Sequence, residues 1–236
     1  MFVNPESLAD NPDRLEGIEK GSIRLVAQAL YDFRTTAAEI FHREQDLAAD
    51  IGEDITREAL DRVGVSKIEA RLFGKIDYKR ARYVFNKDYA VRQALLVDSK
   101  AEKGDADTAT LQTAQTSMRI RFMRKGGAVN EAGTLPTVIE TDKGQCLTTT
   151  IVVKYLYLAA DEENNLANIT VAALPSGMLQ AHYNPTAADT IWRVGRHAAT
   201  LGEAFRVRLV FAKLKAKSNW RVQHIPMPPA HFHWDD

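Results

Sequence analysis

Apolar residues in the first quarter of the chain recur at spacings of three and four. In "DRLEGIEKGSIRLVAQALYDFRTTAAEIFHREQDLA" the stripe is Leu15, Ile18, Leu25, Val26, Ala29, Leu30, Phe33, Ala37, Ile40 and Phe41, with charges between. That period predicts an amphipathic helix with one face turned to a core. Gly17 and Gly21 weaken the first turns, so the well-formed part is expected to begin near Ser22. "EDITREALDRV" predicts a second, shorter helix closed by Gly64.

After Gly64 the pattern changes. "KIEARLFGKIDYKRARYVF" alternates loosely and is rich in aromatic and branched residues, which predicts one strand of a hairpin turned by "NKDY" at residues 86–89. "AVRQALLVDSK" returns as a central strand. "DADTATLQTAQTSM" reads as helix, with Asp107 or Thr108 as its cap. Residues 124–147 are rich in Gly, Thr and Asp and read as loop with short strands. "TTTIVVKYLYLA" and "ANITVAAL" are strands separated by a polar turn, and "AFRVRLVFAKL" and "WRVQHI" are two more. The tail "PMPPAHFHWDD" has no period and is expected to be irregular. Together these predict an α/β fold with a mixed central sheet flanked by helices, built as one domain over residues 1–236 with an irregular tail from about 226 to 236.

Composition narrows the setting. Apolar residues make up 45% and charged residues 26%, as in ordinary globular proteins. Cys146 is the only cysteine, which leaves no disulfide framework and no thiolate zinc site. The N-terminus lacks a basic stretch followed by an apolar one, and the longest apolar runs are far too short to cross a bilayer. The lone cysteine fits a reducing cytoplasm.

The formal net charge of zero hides an asymmetry. Residues 1–50 carry ten acids against five bases, whereas residues 191–221 carry eight bases against Glu203 alone. A strongly positive face, suited to a polyanion, is expected from the second stretch; a solvated basic edge is the alternative.

Two acid-x-lysine tripeptides stand out, Asp77–Lys79 ("DYK") and Asp98–Lys100 ("DSK"). Each aspartate punctuates a predicted strand, and the two strands follow one another across a short turn. An antiparallel pair of that kind can bring Asp77 and Asp98 side by side. Neighbouring carboxylates repel unless a cation lies between them, and a small set of hard oxygen ligands suits Mg²⁺. Side chains alternate along a strand, so Lys100 points the same way as Asp98 while Ser99 points away. Two acids and a lysine are a minimal kit for hydrolysing a phosphodiester. A surface ion pair between Asp98 and Lys100 is the competing explanation, with Glu102 and Lys103 in the same solvated fringe.

In "FRVRLVF", Arg206 and Arg208 project from one face of a predicted strand. Such a pair matches the O6 and N7 acceptors of guanine in the DNA major groove; equally, an amphipathic strand needs polar residues on its outer face. His197, within "RVGRHAATLGE", is a candidate phosphate contact or a structural residue. His231 and His233 have ligand-like spacing but lie in the proline-rich tail, where a disordered or packed segment is expected instead.

These ordered segments resemble the SfiI type II restriction endonuclease family, within the PD-(D/E)xK nuclease superfamily. The resemblance is carried by "FGKIDYKRARY", "QALLVDSKAEK", "DTATLQTAQ", "LPSGMLQAHYNP", "GRHAATLGEAFRVRLVFAKLK" and "WRVQ", in that order, and spans roughly residues 14–225. It implies a restriction-endonuclease-like fold in which Asp77 and Asp98 are the metal-binding acids and Lys100 is the lysine of the motif. Lys79 then belongs to a flanking basic segment. Arg206 and Arg208 match the strand that reads G·C pairs, while Lys79, Arg80, Arg82, Lys103 and His197 are candidate DNA contacts. Ile76 stands where the proline of the superfamily motif would be, and Glu53 is a weaker candidate to assist the metal.

The resemblance further implies Mg²⁺-dependent cleavage of double-stranded DNA at an interrupted, G·C-containing palindrome, with 5′ phosphates left on the products. It also implies a homodimer or homotetramer, without a membrane, in a bacterial or archaeal cytoplasm beside a cognate DNA methyltransferase. Two other classes fit the residues: a catalytically inactive, sequence-specific DNA-binding protein of the same fold, and a Mg²⁺-dependent hydrolase of small phosphate esters. All three catalytic positions are filled, which speaks against the first.

Overall fold

The computed structural model describes residues 2–44, 48–68, 81–104, 107–160, 163–195 and 206–236. Helix α1 (Pro12–Arg43) starts well before Ser22. Its first turn is secured by Asn11, whose side chain accepts the backbone N–H of Arg14, and by proline at the first helical position. Leu15, Ile18, Glu19 and Ser22 are all buried, and that packing outweighs the two glycines. Gly17 is there because Tyr89 crosses it; a Cβ would collide with the tyrosine hydroxyl. Helix α2 (Ala48–Arg62) follows. As expected, Gly64 closes it, in the left-handed region at φ 73°.

Strands β1 (Ala81–Asn86) and β2 (Val91–Lys103) form the expected hairpin, with Ala81 opposite Leu96. The segment after β2 departs from expectation. Instead of a helix it forms strand β3 (Thr108–Gln112) and a single 3-10 turn over Thr113–Gln115. Short polar–apolar segments fit either period, and here pairing with a later strand decides the outcome. Next come β4 (Ile120–Arg124), β5 (Gly127–Glu131), β6 (Val138–Thr141), and the long β7 (Gly144–Ala160) and β8 (Glu163–Leu174). After one turn of helix, α3 (Gln180–Tyr183), the chain forms β9 (Trp192–Val194) and β10 (Arg206–Val210). The strand expected through "AFRVRLVFAKL" stops at Val210. Phe211 and Leu214, three apart and both buried, anchor a short helix, α4 (Phe211–Lys217). A 3-10 turn over Asn219–Arg221 leads into the last strand, β11 (Val222–Pro226).

The main sheet has the order β1-β2-β7-β8-β11, with β6 added against the start of β7. Among the described residues only β2 and β7 run parallel, in register from Gln93–Leu147 to Lys103–Tyr157. Its two faces are covered differently. Leu95, Val97, Ile151, Val153, Ile169 and Val171 pack under α1 and α2. Val152, Ala172 and Val222 face the other way, into a second core shared with Ala109, Leu111, Val207 and Leu209. Those residues belong to a three-stranded sheet of order β3-β10-β9, so the main sheet lies between a helical layer and a small sheet. Each fully buried Val, Leu or Ile stabilises this arrangement by roughly 1.5–3 kcal/mol.

The tail is irregular but attached. The Gln223 side chain brackets the backbone of Asp235, donating to its carbonyl at 2.8 Å and accepting its N–H at 3.0 Å. Phe232 and Trp234 rest against the helical core, whereas His231 and His233 are exposed. The basic stretch is less positive than its sequence implies. Arg221 is fully buried in an ion pair of 2.6 Å with Glu19 of α1, and Lys215 and Lys217 pair with Asp235 and Asp189. Burial pushes the Glu19 carboxyl up from its ordinary pKa while the Arg221 charge opposes that shift. Among the described residues, no helix is long and apolar enough to cross a membrane.

Candidate active site

The alternation of β2 sorts its C-terminal half onto two faces. Ser99 turns toward the helices, where its hydroxyl donates to Thr56 Oγ1 of α2 at 2.7 Å. Asp98, Lys100 and Glu102 turn toward the small sheet. Asp98 is only 5% exposed, so this is not a surface ion pair of the ordinary kind. Lys100 Nζ lies 3.1 Å from Asp98 Oδ1 and 2.9 Å from Oδ2. Gln115 Nε2, from the turn after β3, donates to Asp98 Oδ1 at 2.7 Å. The carboxylate is thus held at one oxygen by a neutral amide and at both by the ammonium of its own strand.

One strand over, Lys154 of β7 stands in register with Lys100 and is 1% exposed. Its ammonium donates to Glu102 Oε2 at 3.0 Å and to the carbonyl of Thr108 in β3. Glu102 is therefore the internal partner of a buried lysine. Neither Gln115 nor Lys154 was among the candidates read from the sequence. A lone charge inside the apolar run "IVVKYLYL" was a usable signal for Lys154. The role of Gln115 depends on a tertiary approach that no local pattern encodes.

The outer row of the small sheet carries the arginine pair. Arg208 lies opposite Thr110 on β3 and Arg193 on β9, and Arg206 lies opposite Gln112. Val207 and Leu209, which alternate with them, are fully buried, so Arg206 and Arg208 share the opposite face, as the alternation requires. Arg208 Nη1 also donates to Thr108 Oγ1 at 3.0 Å. Exposed Arg193 adds a third guanidinium to this row.

Lys103 ends β2 and is exposed. Arg82 is a correction. It is 1% exposed, with its guanidinium against Asp61 and donating to the carbonyls of Val65 at 3.2 Å and Arg57 at 3.3 Å. It is committed to the C-terminal end of α2 and presents no charge to a phosphate. Glu53 lies on α2, the layer on the opposite side of β2 from Asp98. Asp77, Lys79, Arg80 and His197 lie outside the described residues.

The match to the family model described as type II restriction enzyme SfiI covers residues 21–225. The chain belongs to the SfiI family of type II restriction enzymes. Membership makes it a type II site-specific deoxyribonuclease. The type II restriction enzyme SfiI of Streptomyces fimbriatus is 32% identical over 231 residues, which cover 90% of this chain and 84% of the relative. The crystal structure of tetrameric SfiI bound to cognate DNA superposes with a TM-score of 0.80 at 27% identity, covering 94% of this chain and 88% of that one. The restriction endonuclease BglI bound to its DNA recognition sequence gives 0.76 at 16% identity, covering 95% of each chain, and shares the fold. The expected restriction-endonuclease-like sheet flanked by helices is thus the fold observed.

The donor chemistry at Asp98 fits a hard divalent cation. A buried carboxylate offers oxygen only, and the one cysteine, Cys146, sits elsewhere, packed with Ala94, Leu96 and Ile139. Among the described residues no group of three or more His, Cys, Asp or Glu is gathered to bind a metal.

Proposed function

We propose that this SfiI-family chain hydrolyses phosphodiester bonds of double-stranded DNA with Mg²⁺, at a specific interrupted palindrome containing G·C pairs. Asp98 and Asp77 are assigned as metal ligands, Lys100 as the group that orients the attacking water, and Arg206 and Arg208 as base readers. The observation that carries this is the placement of Asp98 and Lys100 on the face of β2 that turns toward the small sheet bearing the two arginines.

When bound, Mg²⁺ neutralises charge on the phosphate and lowers the pKa of a coordinated water. Lys100 Nζ has three donors, enough to keep a contact with Asp98 while a further proton points at a water or a phosphate oxygen. The ammonium also lies where negative charge builds on the phosphorus oxygens. In-line attack forms the new P–O bond and breaks the bond to O3′, which leaves as a hydroxyl after protonation, so the 5′ fragment end retains the phosphate. Arg206 and Arg208 stand one strand-repeat apart on one face, a spacing suited to two neighbouring G·C pairs.

A palindrome requires two copies of the site, so the working form is a homodimer or homotetramer. The proposal treats residues 1–236 as one endonuclease domain with an irregular tail from about 226. It places the enzyme in a bacterial or archaeal cytoplasm beside a methyltransferase that protects the host's own sites.

The site assignment has a direct test. Asp98→Ala is expected to abolish cleavage in Mg²⁺ while leaving specific binding measured in Ca²⁺ largely intact. Normal cleavage by this variant would sink the assignment.

A further inference from the structure

Gln115 touches the catalytic strand with one end of its amide and the recognition sheet with the other. Nε2 donates to Asp98 Oδ1 at 2.7 Å, and Oε1 accepts the backbone N–H of Gln112 at 2.9 Å. The orientation of the amide is fixed by its partners, since a carboxylate only accepts and a peptide N–H only donates. Gln112 is the last residue of β3 and pairs directly with Arg206. A second bridge runs parallel to the first. Arg208 donates to the hydroxyl of Thr108, and the carbonyl of the same residue accepts from Lys154, which holds Glu102 two positions beyond Lys100. Thus β3 is joined to β10 by its backbone ladder, to β2 by Gln115 beyond one end, and to β2 through Lys154 of β7 at the other.

We propose that Gln115 is a positioning residue that ties the setting of the Asp98 carboxylate to the seating of the recognition strands on DNA. This rests on Asp98 as metal ligand and on Arg206 and Arg208 as base readers. A carboxylate is free to rotate about its last torsion. Lys100 constrains that torsion from within β2; the Gln115 amide constrains it from a point outside the strand, so the ligand geometry also follows β3. When Arg206 and Arg208 engage the correct bases, β10 and its partner β3 are drawn to one position, and Gln115 carries that position to Asp98. On a wrong sequence the strands seat differently and the carboxylate is misaligned for the metal.

Two substitutions separate this role from support of the 3-10 turn. Gln115→Glu keeps the size of the side chain and an oxygen for the Gln112 N–H, but loses the donor toward Asp98. Gln115→Ala removes both contacts. The substrate is a duplex carrying the site read from the ends of digested plasmid, alongside the same duplex with one base pair changed. In saturating Mg²⁺, single-turnover cleavage of the cognate duplex is expected to fall on the order of 10–100-fold in both variants, with Ca²⁺-supported binding within about threefold of the parent. Cleavage of the altered duplex is expected to fall less, so that the ratio of the two rates narrows. A Gln115→Glu rate equal to the parent's would overturn the proposal, because only the turn contact would then matter. An equal fractional loss on both duplexes would overturn the link to recognition. Asp98→Ala run in parallel distinguishes the levels: if it cleaves normally, the active-site assignment itself has failed.

Discussion

Arg82 illustrates how far a single side chain can depart from its sequence context. It closes a run of basic residues yet turns inward, and its charge is answered by Asp61, which also pairs with Lys67 at 3.0 Å. Desolvation is the largest single influence on the Asp61 pKa and raises it, but the hydrogen bonds and charges of Arg82 and Lys67 together outweigh it and hold the carboxyl below its ordinary value. A depressed acid contributes stability that is complete above its unfolded pKa, near pH 4, and is lost as pH falls through the folded value. Asp61→Asn is therefore expected to destabilise the fold by roughly 1 kcal/mol at pH 7, since it weakens a hydrogen bond to a buried charge while the half-exposed Asp61 is itself screened by solvent. Urea unfolding at pH 7 and again near pH 3 checks this. The deficit should shrink at the lower pH, and a deficit unchanged there would contradict the assignment. At this scale, Asp98 and Lys100 were legible because strand alternation alone places them on one face. Arg82 was not, because its inward turn depends on α2 arriving beside β1.

Strand β10 carries the specificity claim. If Arg206 and Arg208 read bases, Arg208→Ala should weaken binding to the cognate site by roughly 1–3 kcal/mol and relax the preference at one base pair. Binding in Ca²⁺ to cognate and altered duplexes measures this; equal losses on both would reduce Arg208 to a backbone contact. The elements themselves were unequally readable. Strands β2, β7 and β8 were clear because long apolar runs in a buried sheet leave little choice of period. The 108–115 segment and the 211–217 segment are short and mix apolar with polar residues, so periods of 2 and 3.6 both fit. Their states are set by partners distant in sequence: Val210 opposite Thr108 for β3, and the second core for Phe211 and Leu214. The start of α1 was misread for a related reason, since its glycine sits beneath Tyr89 rather than marking a weak turn.

On the scale of the molecule, the parallel pair β2–β7 forms the centre, and the chain between the two strands builds β3, β4, β5 and β6. The connection therefore delivers β3 and the Gln115 turn to the end of β2 where Asp98 and Lys100 lie. Neutral net charge is compatible with a DNA partner because the positive residues are distributed by role. Arg221, Lys215 and Lys217 are paired internally or with the tail, whereas Arg193, Arg206 and Arg208 form one row on the small sheet. The central claim is that this SfiI-family chain is a Mg²⁺-dependent nuclease that cuts at one interrupted palindrome. The most direct measurement is digestion of plasmid DNA in Mg²⁺ followed by sequencing of the fragment ends. The account predicts 5′-phosphorylated ends at a fixed position within a single interrupted, G·C-containing palindrome, and no fragments when the metal is chelated. Scattered ends, ends without a 5′ phosphate, or intact plasmid despite retained specific binding would contradict it.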